Sequence, residues 1–257
     1  MPTRTFALSL GNSSLKAGVF SGGRLVRRLQ APVAGAARPG GMGRILGARF
    51  KGRVDRAVLS SVVPALTGPA ARAVKLAFCV APRILAVDGP HGLKIAYTRP
   101  RELGADRLAA ALGARDLFPN RNIVVVDFGT ATTVTALGRR GAILGGAILP
   151  GLGLWAGMLA ERTAQLPRVE PGRRPRAALG RSTADALRSG IFHGHAGAVR
   201  ELVHRIRREA FGAARSLVVG TGGHAGRFLG EKLFDRHEPD LVLRGLLAYA
   251  QAADDRR

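Results

Sequence analysis

One short pattern occurs twice in this chain, and it constrains the fold more than any other feature. Phe6–Phe20 reads as an apolar strand, a Gly11-Asn12-Ser13-Ser14 turn and a second strand, and Leu25–Leu29 can add a third. Further along, Ile123–Val126 is a continuous apolar run of the kind a buried strand shows. Asp127-Phe128-Gly129-Thr130 makes the next turn, Thr132–Leu137 alternates as the return strand, and Ala142–Leu149 can follow it. Gly11 and Gly129 occupy the same place in the two copies, each one apolar residue beyond a polar one. The expectation is an α/β chain of two duplicated lobes, each a mixed sheet flanked by helices, with boundaries at 1–117 and 118–257. Two similar lobes facing each other would leave a cleft, where small ligands usually bind.

The remaining segments fit that plan. Ala31–Gly43 is rich in Gly, Pro and Ala and reads as a loop. Ala57–Val63 and Arg83–Val87 read as strands, and Ala65–Val74 and Ala105–Leu117 as helices. Pro150–Gly153 breaks the chain before a helix over Trp155–Leu166. Pro167–Arg181 reads as an exposed loop and Ala184–Glu209 as a helix. Ser216–Val219 is the next strand and Gly220–Gly223 a turn, followed by helices over Ala225–Leu233 and Leu241–Ala253.

Composition narrows the function classes. A hydrophobic fraction of 46% over 257 residues supplies a substantial core. The formal net charge of +23 could draw nucleic acid, acidic membranes or polyphosphates. The Arg residues are scattered, aromatics make up only 5%, and no basic block interleaves with them, so the charge reads as a solvated surface and a nucleic-acid partner is not expected. Arg173–Arg176 and Arg205–Arg208 read as loop and helix surface. Cys79 is the sole cysteine, which excludes an intramolecular disulfide and a thiolate metal cluster; its apolar surroundings, Leu76–Val80, predict a buried structural thiol. No run reaches the ~20 apolar residues of a spanning helix, and no basic segment with a long apolar run opens the chain. A cytoplasmic protein without membrane attachment is the expectation.

The turns carry the chemistry. Phosphate oxygens need convergent N–H donors, and a glycine-rich turn supplies them because no side chain blocks the approach. Leu10-Gly11-Asn12-Ser13-Ser14 meets that need and Lys16 can add a cation, although an ordinary hairpin has the same composition. The P-loop spacing is absent. Asp127 at a strand end can hold a cation while Gly129 and Thr130 meet phosphate, or it can cap a turn. Asp106, at a helix start, is either a stabilising first-turn acid or a general base, with Arg107 as anchor for an anionic substrate. Gly220-Thr221-Gly222-Gly223 between strand and helix can approach a nucleotide closely or simply turn, and His224 reads as structural.

These pieces, in this order, resemble type III pantothenate kinases of the acetate kinase/sugar kinase/Hsp70/actin superfamily. The resemblance rests on Gly11-Asn-Ser-Ser-Leu-Lys16, Ser60-Ser-Val-Val-Pro64, Leu103-Gly-Ala-Asp-Arg107, Asp127-Phe-Gly-Thr-Ala-Thr132 and Gly145-Gly-Ala-Ile-Leu-Pro-Gly151, with Thr183 and Thr221-Gly-Gly223 fitting too. It spans nearly the whole chain, from Leu8 to Leu247. It implies an actin-like (ribonuclease H-like) duplicated fold, a homodimer, and ATP-dependent phosphorylation of pantothenate with Mg2+ and a monovalent cation, K+ or NH4+. By motif position Asp106 would be the base, and Tyr97, Gly104, Ala105, Arg107 and Thr183 would contact pantothenate. The turn Ser9, Leu10, Gly11, Asn12, Ser13, Ser14, Leu15 and Lys16 would cradle the triphosphate, Thr130 would contact ATP, and Asp127 would help hold the monovalent cation. One residue departs from the pattern: the family carries Asp two positions before the first-turn glycine, where this chain has Ser9. A second reading therefore stands beside the enzyme, a non-catalytic relative that binds ligand without turnover and serves a regulatory or accessory role.

Overall fold

The computed structural model describes residues 1–171 and 174–252. Arg173 of the expected Arg-rich loop and Ala253 of the expected last helix lie outside those residues. The chain divides into two compact units, Met1–Pro119 together with the segment from Leu241, and Asn120–Asp240. In chain order the first unit supplies β1 (Arg4–Leu10), β2 (Ser14–Ser21), β3 (Arg24–Pro32), α1 (Val33–Ala37), α2 (Gly41–Arg49), β4 (Arg56–Ser61), α3 (Pro64–Phe78), the two-residue β5 (Arg83–Ile84) and β6 (Lys94–Ile95), and α4 (Ala105–Leu117). The second supplies β7 (Asn122–Phe128), β8 (Ala131–Leu137), β9 (Ala142–Pro150), α5 (Leu152–Arg162), α6 (Thr183–Phe211), β10 (Ser216–Thr221), a 3-10 segment (Ala225–Glu231) and β11 (Arg236–His237). Helix α7 (Leu241–Ala252) then returns to the first unit.

In the first unit β1, β2 and β3 form an antiparallel meander, β4 lies parallel to β1, and β5 parallel to β4. The strand order is β3-β2-β1-β4-β5. Side chains alternate across a strand, so Phe6, Leu8 and Leu10 share one face with Leu15, Ala17, Ala57 and Leu59. That face packs on Met42, Leu46, Val74 and Phe78 from α2 and α3. Phe6 meets the Phe50 ring edge-on at 5.2 Å and the Phe78 ring at 4.7 Å. Each fully buried side chain of this kind contributes about 1.5–3 kcal/mol. Helices α1 and α2 occupy much of the segment whose composition predicts a loop. Burial of Ala36, Met42 and Leu46 overrides the low helix propensity of Gly and Pro there. A side chain at Gly41 would overlap the Gly35 carbonyl, so glycine lets the two short helices join closely.

The other face of this sheet carries α4 and α7. These helices meet backbone to backbone: a side chain at Gly245 would overlap the Ala109 carbonyl, and one at Gly113 the Leu241 carbonyl. Assigning everything after residue 117 to one lobe leaves out this crossing, which places α7 in the first unit. A helix at a chain end carries no signal of which sheet it will cover. Cys79 is exposed rather than buried. The buried stripe of α3 runs through Ala70, Val74 and Phe78, and Cys79 caps the helix one residue later in a left-handed conformation, φ 57°.

The second unit repeats the plan. An antiparallel meander of β7, β8 and β9 is extended by β10 parallel to β7 and β11 parallel to β10. Its neighbouring strands run β11-β10-β7-β8-β9, the same topology as the first sheet. The chain therefore has a duplicated α/β fold of mixed sheets flanked by helices. Val124, Val126, Phe128, Val134 and Val218 pack on Leu152, Ala156, Phe192, Val199 and Phe228 from α5, α6 and the 3-10 segment. Phe228 stacks between Phe128 and Phe192 at 5.0 Å from each. The segment after His224, expected as a helix over 225–233, is a 3-10 helix over Ala225–Glu231.

Candidate active site

In the first unit the β1–β2 turn is closed by Gly11 N donating to the Ser14 carbonyl at 3.0 Å, and Val33 N donates to the Ser13 carbonyl at 3.0 Å. Asn12 and Ser13 are exposed at the tip. Leu10 and Leu15, both in the expected phosphate cradle, send their side chains into the core and pair with each other in the ladder, so neither side chain meets a ligand. Ser9 is 8% exposed and lies opposite Lys16 on β2 and Ser60 on β4. Pairing residues on adjacent strands point to the same side, so Lys16, Ser9 and Ser60 form one row across the sheet. The Ser60 hydroxyl is buried and has no hydrogen-bond partner among the described residues.

The start of α4 lies beside this row. Val62 N, just beyond β4, donates to the Leu10 carbonyl at 3.0 Å, and a Cβ on Gly104 would sit 3.9 Å from Val62 Cγ1. Gly104 is the N-cap, and Asp106 in the first turn accepts from the Arg107 backbone N–H at 2.8 Å through Oδ1. A Cβ at position 104 would come within 2.5 Å of that oxygen, so glycine is what allows the carboxylate to fold back over the helix start. Arg107 is buried, with its guanidinium 5.6 Å from the centre of the Tyr97 ring. A cation over an aromatic face is held electrostatically, by about 0.5–2 kcal/mol. The first unit thus gathers the turn 9–16, Tyr97 and Gly104-Ala105-Asp106-Arg107, with Ala105 as the first helical residue.

In the second unit the corresponding turn is held from three sides. Gly129 N donates to the Ala131 carbonyl at 3.2 Å, Gly151 N to the Thr130 carbonyl at 3.0 Å, and His224 N to the Phe128 carbonyl at 3.0 Å. Thr130 is exposed at the tip. Asp127 lies in register with Thr221 on β10 and Thr133 on β8. The Thr221 hydroxyl is fully buried with no hydrogen-bond partner among the described residues. A carboxylate beside an unsatisfied hydroxyl suits a hard cation, which takes oxygen donors. No group of three or more His, Cys, Asp or Glu is poised to hold a metal among the described residues. Thr183 lies on another element of the second unit, helix α6. It is exposed in the first turn of α6, capped by Ser182, whose hydroxyl accepts from Asp185 N at 3.2 Å, and it borders a groove with Trp155, Met158 and Leu187. The Ser182 hydroxyl, ahead of Arg188, holds the Asp185 carboxyl below its usual range.

Sequence reasoning did not single out His195. It is wholly buried on α6, with Nε2 3.1 Å from the Thr132 hydroxyl at the start of β8. Nothing marks it in the sequence, because one histidine on a long helix looks like any other polar residue of that helix.

Comparison with known proteins bears on lineage and fold. The sequence profile of the type III pantothenate kinase family matches residues 5–205. A type III pantothenate kinase of Legionella pneumophila (strain Corby) is 38% identical over 93% of this chain and 95% of its own. Among solved structures, a conserved Campylobacter jejuni protein assigned to the Baf family of transcriptional activators superposes with a TM-score of 0.63 at 20% identity, covering 97% of this chain and 99% of its own. The activator of 2-hydroxyisocaproyl-CoA dehydratase from Clostridium difficile superposes with a TM-score of 0.56 at 14% identity, covering 100% and 97%. At such identities the two structures speak for the fold alone, whereas the family profile and the curated relative speak for lineage: the chain belongs to the type III pantothenate kinase family.

Proposed function

We propose that the protein transfers the terminal phosphoryl group of ATP to the hydroxyl of pantothenate, giving 4'-phosphopantothenate in the first step of coenzyme A synthesis. The observation that carries this reading is the start of α4, where Asp106 stands beside the buried Arg107–Tyr97 pair and next to the β1–β2 turn. In the proposed reaction the Asp106 carboxylate takes the hydroxyl proton, the freed oxygen attacks the γ-phosphorus, and the bond to the bridging oxygen breaks as ADP leaves. Arg107, with Tyr97, Gly104, Ala105 and Thr183, binds pantothenate, whose carboxylate suits a guanidinium. The turn from Ser9 to Lys16 cradles the phosphates with its exposed tip at Asn12 and Ser13, the Lys16 ammonium offsets their charge, and Thr130 contacts ATP. Asp127 holds a monovalent cation, K+ or NH4+, and Mg2+ accompanies the nucleotide, where it supplies charge neutralisation.

A homodimer in the cytoplasm completes the proposal. The groove beside Thr183 and the exposed Ile148, Leu154 and Met158 supply apolar surface for a second copy, and among the described residues no helix is long and apolar enough to cross a membrane. One observation favours a second reading, a relative that binds ligand without turnover: Ser9 puts an uncharged hydroxyl where the family carries a carboxylate. Formation of ADP with pantothenate, Mg2+ and K+ in a coupled assay decides between them. Turnover establishes the kinase; calorimetric binding of ATP or pantothenate with no turnover establishes the accessory protein.

A further inference from the structure

Buried polar groups in an aromatic cage need a reason, because desolvating an imidazole is costly unless a hydrogen bond offsets it. His195 sits among the Phe128, Trp155 and Phe228 rings, with centroids 6.2, 5.7 and 5.7 Å away. Among the described residues its side chain makes one hydrogen bond, between Nε2 and Thr132 Oγ1, and Nδ1 has no partner. A buried bare lone pair costs less than a buried orphan N–H, so the tautomer assigned is the one with the proton on Nε2, donating to Thr132. Thr132 begins the strand that leaves the Asp127–Ala131 turn, and it pairs with Phe128 across that turn. Phe128 is in turn held by the His224 amide.

We infer that His195 is a positioning residue for the second unit's nucleotide turn: its bond to Thr132 pegs the return strand to α6 and so fixes the backbone of Gly129 and the hydroxyl of Thr130. The inference rests on the assignment of Thr130 to ATP. A purely space-filling histidine would behave differently. Exchanging it for an apolar residue in an aromatic cage would then change melting temperature and leave nucleotide affinity alone.

The test measures ATP affinity by calorimetry, KM and kcat, and thermal melting for His195→Leu, His195→Gln, His195→Asn and Thr132→Val. Gln can place its amide N–H near the position of Nε2, whereas Asn is too short to reach Thr132. The expected result is an ATP Kd raised at least fivefold in His195→Leu and Thr132→Val. The ATP KM rises in parallel, kcat changes less than KM, and His195→Gln returns the Kd to within twofold of the unaltered protein. ATP affinity unchanged in His195→Leu, whatever its melting temperature, overturns the inference. If the Leu variant does not fold, the Gln and Asn variants decide: tighter binding by Gln supports the peg, and equal Kd values overturn it. An unaltered protein that binds ATP but does not phosphorylate pantothenate would defeat the proposed reaction and leave the peg standing. One that binds no ATP would defeat both.

Discussion

The Asp127 carboxylate rests directly against the main chain of Gly222. Gly222 has φ of +96°, in the region that favours glycine, and a methyl group on it would overlap both the Asp127 carboxylate and the Phe128 backbone. The Gly220–Gly223 turn is thus the back wall of the Asp127 turn.

Gly222→Ala should therefore destabilise the protein by about 2 kcal/mol or more, from left-handed strain plus displacement of a packed carboxylate. Urea denaturation checks this. A loss below about 0.5 kcal/mol, the scale of an ordinary surface change, would mean that the two turns are not in contact.

Asp106→Asn keeps an acceptor for the Arg107 amide, so the first turn of α4 should survive and the melting curve should shift little. Without a base, kcat should fall by about 10²–10⁴-fold. Near-normal turnover would remove Asp106 from proton transfer.

Ser9→Asp should raise turnover at least tenfold, because a carboxylate beside the phosphates can order Mg2+ and its waters, an effect worth about 3–4 kcal/mol where it acts in the transition state. Lys16, opposite on β2, lies where it can offset the added charge. An unchanged rate would show that the hydroxyl is compensated elsewhere.

Acid should destabilise the second unit through His195. Burial, with the neighbouring His224 charge as a lesser cause, lowers its pKa from 6.5 to about 4. Among the described residues the groups recorded in contact with it or acting on its charge are Thr132, Phe128, Trp155, Phe228 and His224, none of them an acid that would favour the imidazolium. His224 is itself lowered, by burial first and Arg227 second, so it acts in the same direction. The unfolded chain binds the proton more readily. The stability contributed by neutral His195 is present above pH 6.5 and is lost as pH falls towards 4, by roughly 2–3 kcal/mol. Denaturation of the unaltered protein and His195→Leu at pH 7 and 4.5 should show a steeper loss in the unaltered protein. Parallel losses would mean that His195 is already accessible to protons.

Much of this was legible in the sequence because the informative residues act through local geometry. The twin strand-turn-strand pattern around Gly11 and Gly129 announced the duplicated sheets, since period-two burial and glycine turns are local properties. Gly104 and Asp106 could be placed at a helix start for the same reason. What stayed hidden depends on distant contacts. Helices α1 and α2 form because Ala36 and Met42 find a sheet to pack on, and α7 joins α4 through Gly113 and Gly245. The Thr132–His195 bond likewise joins two residues that no spacing rule connects. Cys79 misled because the buried stripe of α3 ends at Phe78 and the cap residue faces out; Leu76, three residues earlier, is itself exposed.

The most direct measurement incubates the purified protein with ATP, Mg2+, K+ and pantothenate and follows 4'-phosphopantothenate by mass spectrometry, with the Asp106→Asn variant alongside. Phosphorylated pantothenate that accumulates with time in the unaltered protein, and that the variant fails to make, is the result expected. Absence of the product at saturating substrates, with ATP still bound, would contradict a phosphotransferase role for this chain.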